Sequence, residues 1–195
     1  MAKLRAAGFE ITGVHNHVLN ETPRVLYMHY LGHGIAAELA ESLRAALAES
    51  KTPLGKPAAP SPDAGVPPAF VKTVEDTLGK NGNFAGGVLA FGIPRAQVIT
   101  ENGMTLSAAQ GVAESINFQE AGPGKVATTG DFVLTAEEVN AVISALQEHN
   151  IQVTALHSHM LTEELRLFFM HFWAVGSTES VAEGIKATLN HVATK

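Results

Sequence analysis

The sequence predicts an α+β fold: an antiparallel sheet built from hairpins, with helices packed on one face and an internal duplication. Three observations predict it. Residues 115–119 and 125–134 read as strands closed by the turn Ala121-Gly122-Pro123-Gly124. A capped amphipathic helix follows directly. A hairpin bearing His-x-His then leads into a second helix, so the order hairpin, helix, hairpin, helix favours a sheet covered on one side.

Each element has a local reason. Phe70–Leu78 reads as a short helix, and Gly87–Phe91 as a strand ending at Pro94. Thr135 can cap the next helix, with Glu138 completing a capping box. Val139, Val142, Ile143 and Leu146 share one face of that helix, following the i, i+3, i+4, i+7 spacing. Asn150 suits its left-handed end. Val181, Ile185 and Leu189 give the last helix its apolar side.

The same hairpin occurs twice. ITGVHNHVLNETPRVLYMHYLGHG begins at Ile11 and VTALHSHMLTEELRLFFMHFWAVG at Val153. His15 and His157, His17 and His159, and His29 and His171 each stand 142 residues apart. Glu21 and Glu163, Arg24 and Arg166, and Met28 and Met170 keep that spacing. The match starts at Leu4 and Leu146 and runs on to Leu47 and Leu189. The segment preceding Leu146 has no counterpart, which implies a chain that opens partway through a unit. The expected organisation is a partial first repeat over 1–50, a Pro-rich linker over 51–68 and a complete second repeat over 69–195. The linker holds six of the nine prolines, which remove backbone donors and fix φ.

Residues two apart in a strand point to one face, so His157 and His159 project together. A three-residue turn at Glu163-Glu164-Leu165 would set His157 directly across from His171. The equivalent turn at Glu21-Thr22-Pro23 would set His15 across from His29. Each hairpin then presents three imidazoles, a triad suited first to zinc and otherwise to iron, copper, nickel or manganese. Such a triad leaves positions open for water or substrate. A lone strand histidine is usually a satisfied core residue. Here six of the nine histidines fall in the two triads, which favours metal. His157, His159 and His171 form the expected working site, and His15, His17 and His29 its weaker twin.

Glu163 is the candidate general base or fourth ligand, the alternative being an exposed turn residue. Arg166 and Arg24 either clamp an anion or pair with the neighbouring glutamate. Asp131 is a candidate partner for fixing a histidine tautomer. His33 is either an extra ligand or a loop residue. Phe168, Phe169, Phe172 and Trp173 read as core covering the hairpin on both sides. His149 and His191 sit at helix C-termini, where positive charge is favourable.

Composition excludes several classes. The chain of 195 residues has no cysteine, so thiolate ligands, disulfides and a cysteine nucleophile are ruled out. A formal charge of −6 with scattered Lys and Arg argues against nucleic acid. Neither a Gly-x-Ser-x-Gly elbow nor a phosphate-binding loop is present. No apolar run is long enough for a membrane span, and the first residues do not read as a signal peptide. The chain as written therefore reads as cytoplasmic.

On GDFVLTAEEVNAVISAL (130–146), VTALHSHMLTEELRLFFMHFWA (153–174), VHNHVLNETPRVLYMHYLGHG (14–34), SKTPLG and INFQ, the chain resembles the LppY/LpqO family of bacterial proteins of unknown function. The resemblance implies tandem repeats of this unit and relatives exported as lipoproteins. It implies no established activity. His157-x-His159 followed by Glu163 is also similar to the first cupin motif, although its glycines and second motif are absent. The expected function is metal-dependent hydrolysis or lyase chemistry on a small molecule in a partly buried pocket. The alternatives are a non-catalytic metal or ligand-binding module in a metal or stress response, and a homodimer that completes the first unit.

Overall fold

A computed structural model of the chain describes residues 1–51, 54–55 and 67–195. Most of the expected linker, residues 51–68, lies outside them. The order is α1 (Ala2–Ala6), β1 (Glu10–His15), β2 (Tyr27–Leu31), α2 (Ala36–Leu47), α3 (Ala69–Leu78), β3 (Asn83–Ala85), β4 (Val88–Pro94), β5 (Thr100–Glu101), β6 (Met104–Thr105), β7 (Ala113–Gly122), β8 (Lys125–Leu134), α4 (Ala136–Glu148), β9 (Gln152–His157), β10 (Glu163–Glu164), β11 (Phe168–Ser177) and α5 (Thr178–Leu189).

The main sheet runs β3-β4-β7-β8-β11-β9, with every pairing antiparallel. This is the α+β architecture expected. Strand alternation sorts β11 between two cores. Met170, Phe172 and Ala174 join the core made with α3, α4 and α5. Phe169 points the other way, into a smaller core with Ile99, Leu106, Val112, Val133 and Leu167. His171 shares the parity of Phe169 and is fully buried. The histidines therefore use the face opposite the helices.

The signals read for the helices after β8 and β11 hold, whereas Trp173, expected in the core, is exposed. Glu138 accepts from the Thr135 N–H at 2.8 Å, as a capping box requires. Asn150 has φ of 56°. Val181, Ile185 and Leu189 are buried. Arg95 ties these pieces together from a fully buried position. It donates to the Val133 carbonyl, pairs with Glu138 at 2.9 Å and lies 3.9 Å from Glu114. Glu138 also accepts from the Ala193 N–H, so the start of α4, the sheet and the C-terminal segment share one polar knot.

β1 and β2 form a separate two-stranded sheet. Hydrogen bonds around it match those around β9 and the loop that follows it. The Phe9 N–H bonds the Leu4 carbonyl at 3.0 Å, as Ile151 bonds Leu146 at 2.8 Å. The Val25 N–H bonds Glu21 at 3.2 Å, as Leu167 bonds Glu163 at 3.0 Å.

Candidate metal centre

The hairpin register differs from the one expected. His157 stands opposite Phe169 and His171 opposite Ala155; likewise His15 faces Tyr27 and His29 faces Gly13. The expected three-residue turns do not form. Residues 158–167 instead make a longer loop, in which Glu163–Glu164 leave the hairpin to pair with Thr100–Glu101. The ladder consequently closes two residues away from the expected register. A two-residue slip preserves the face of every side chain, so the imidazoles still project together.

Their larger-scale arrangement was not foreseen. The two triads do not form separate sites; the hairpins meet face to face. His15 lies against His157 with ring centroids 3.7 Å apart and planes tilted by 35°, while His17 stacks on His171 at 3.8 Å and His29 on His159 at 3.7 Å. Exchanging each histidine with its counterpart 142 positions away maps this set of contacts onto itself. The flanking rings follow: Tyr27 stacks on His17 at 3.6 Å and Phe169 on His159 at 3.7 Å. The Thr154 hydroxyl donates to the His17 carbonyl and so joins β9 to the first hairpin.

Two sets of side chains bring their ligand atoms within 4.8 Å of one another: His15, His157, His159 and His171, and His15, His17 and His29. Nitrogens bound to one tetrahedral zinc stand about 3.4 Å apart, so each set must draw in by up to roughly 1.5 Å to gather an ion. The Nδ1 atoms of His15 and His157 lie 3.3 Å from the carbonyls of Asn16 and Ser158, and that of His171 lies 3.1 Å from the Gly130 carbonyl. A carbonyl accepts only from N–H. Nδ1 therefore carries the proton, and the lone pair is on Nε2.

For His157 and His171 that lone pair has nothing to meet. Nε2 of His17, His157, His159 and His171 is buried without a hydrogen-bond partner among the described residues. His15 Nε2 and His29 Nε2 face each other at 2.7 Å. Burial pushes the imidazoles below their ordinary range, and neighbouring imidazoles push further: His17 and His29 to about 4, His171 to about 3, and His159 further down. Burial also lowers His15 and His157. At neutral pH the centre is a set of uncharged donors.

A cleft of about 650 Å³ opens beside the centre, lined among others by His29, His159, Asp131, Glu101, Ser115 and Tyr30. Asp131 lies 3.6 Å from His171 Nδ1 and 3.9 Å from His159 Nε2, beside both rings but beyond hydrogen-bond distance; the Gly130 carbonyl, not Asp131, holds the His171 tautomer. Burial raises its carboxyl to about 8. Glu163 is buried, accepts from the Leu167 N–H and lies 3.3 Å from Arg166 Nη1. It belongs to neither histidine set, and neither does the exposed His33. Glu101 was missed by the sequence reading. Its signal was the Asn102-Gly103 dipeptide, the mark of a tight hairpin, and both residues have positive φ, 50° and 77°.

The fold and site thus define an α+β protein with a convergent polyhistidine centre beside a ligand-sized cleft. The family model of a domain of unknown function, DUF1259, matches residues 1–49 and 72–191, and the chain belongs to that family. Neither a curated protein nor a solved structure matches it. No described helix is long and apolar enough to cross a membrane.

Proposed function

We propose that this protein binds a divalent metal ion through histidines of both hairpins and uses it on a small molecule held in the adjoining cleft. The observation that carries the reading is the four buried Nε2 atoms without a partner. Buried polar atoms are almost always satisfied, and neutral imidazole lone pairs converging from both hairpins suit a transition metal. Zinc fits the donor set first, with iron, copper, nickel and manganese as alternatives. Such an ion polarises a substrate oxygen or lowers the pKa of a bound water, which suits a hydrolase or lyase.

Within this reading His15, His17, His29, His157, His159 and His171 are the metal residues. Asp131, on the cleft wall beside two of them, takes the acid–base role expected of Glu163. Its raised carboxyl carries a proton it can exchange near neutral pH. Glu163 acts from the loop, shaping the segment that follows His159. The cleft favours an enzyme over a non-catalytic metal module, which needs a closed coordination sphere and no adjoining pocket.

The matching register and hydrogen bonds of the two hairpins support tandem duplication, and with it a place among LppY/LpqO proteins within the wider family. β2 has no strand paired on its outer edge among the described residues. A second copy of the chain would complete the first unit there, and light scattering would report it as a dimer.

The deciding experiment is elemental analysis of protein purified without a histidine tag. At least one tightly held transition metal per chain is expected. A chain that arrives metal-free and binds no zinc, iron, copper, nickel or manganese at micromolar concentration would overturn the reading.

A further inference from the structure

A second set of buried, unsatisfied atoms lies outside the histidines. Glu101 on β5 and Glu163 on β10 stand directly opposite each other in an antiparallel ladder, which puts both side chains on one side of it. Both are almost wholly buried, at 2% and 5% exposure. One oxygen of each is satisfied. Glu101 Oε1 accepts from the Thr162 hydroxyl at 2.6 Å; Glu163 Oε1 accepts from the Leu167 N–H and lies near Arg166. The other oxygen of each, Oε2, is buried with no partner among the described residues.

Like charges opposite each other in a ladder destabilise it, and a buried carboxylate oxygen without a donor is costly. One cation between them answers both problems. We propose that Glu101 and Glu163 bind a second, hard divalent cation of the calcium, magnesium or manganese class. Their Oε2 atoms are its anionic ligands, and water from the cleft that Glu101 lines completes the shell. Thr162 Oγ1 lies 3.4 Å from Asn102 Oδ1, so both neutral oxygens also belong to this corner. An all-oxygen donor set selects against the softer ions that suit imidazole, so the two centres take different metals. The ion would fasten the 158–167 loop, which carries His159, to the β5–β6 hairpin. The cation site stands on its own carboxylates and does not depend on the histidine centre being filled.

The test uses the full chain, stripped with chelator, given zinc to saturate the histidines and then titrated with Mn²⁺. One Mn²⁺ per chain is expected, with an electron spin-echo spectrum free of ¹⁴N modulation and displacement by Ca²⁺ or Mg²⁺. Glu101→Gln is expected to lose this Mn²⁺ by at least about tenfold in affinity while keeping its zinc. Metal-free Glu101→Gln should also melt no lower than metal-free wild type, because one of two opposed charges is gone. Should that variant fold poorly, the wild-type spectrum still decides. Strong ¹⁴N modulation would place the manganese on histidine and overturn the proposal. Absence of Mn²⁺, Ca²⁺ and Mg²⁺ binding at millimolar concentration would overturn it too. Loss of zinc binding with Mn²⁺ retained would sink the histidine reading instead.

Discussion

His15 is the only side chain common to both ligand sets, and it touches His157 across the hairpin interface as well as His29 within its own hairpin. Removing it takes a donor from both sets at once. His15→Ala is expected to reduce bound zinc more than His17→Ala, whereas His33→Ala leaves the content unchanged; competitive chelator titration checks the order. Acid should act late. A proton displaces metal only by taking the imidazole lone pair, and His17 and His29 are lowered from 6.5 to about 4 in the folded protein. Above that value the native lone pairs are free, so zinc is expected to stay bound at pH 6 and leave as pH falls towards 4. Dialysis at the two pH values followed by elemental analysis reads this out, and complete loss at pH 6 would contradict it.

At the scale of elements, β8 fixes the site through close backbone approach. Gly130 pairs with Phe172 on one side and Ile116 on the other. A Cβ there would run into the Ser115 carbonyl oxygen and the Phe172 ring. Backbone cannot step aside as a flexible side chain can, so β7 and β8 would have to separate. Gly130→Ala is expected to destabilise the fold by about 3 kcal/mol, the upper range for overpacking, measured by urea denaturation. It should weaken zinc binding as well, because Gly130 supplies the carbonyl that orients His171. The helices were legible from sequence because a cap and an i, i+3, i+4 stripe are local properties, as at Thr135 and Val142. The register of β9 on β11 was not. Parity determines which face a side chain takes, but a slip of two residues leaves parity unchanged, and the loop that set the slip is held by β5, far away in sequence.

For the whole molecule, the main hydrophobic core draws its members from Phe70 to Val192, whereas the first hairpin contributes His15, His17 and His29, half of the six site histidines. The proposed division into 1–50 and 69–195 therefore separates stability from binding. A fragment comprising 69–195 is expected to unfold cooperatively, as a two-state domain does. It should bind zinc at least about tenfold more weakly than the full chain, a difference of roughly 1.4 kcal/mol. Calorimetry on the fragment checks both, and full affinity in the fragment would show that the first hairpin is dispensable.

The sequence by itself determined the α+β class, the helix that begins at Thr135, the turn at Asn150, and the six histidines with their shared faces. All of these follow from periodicity, turn chemistry or a repeated spacing, which are properties of adjacent residues. Only the tertiary structure decided that two hairpins 142 residues apart close on each other, that their triads form one centre, and that Asp131 and Glu101 rather than Glu163 line its cleft. Those outcomes depend on which surfaces pack together and where a loop finds its strand partner. Nothing in the spacing of residues along the chain encodes either directly.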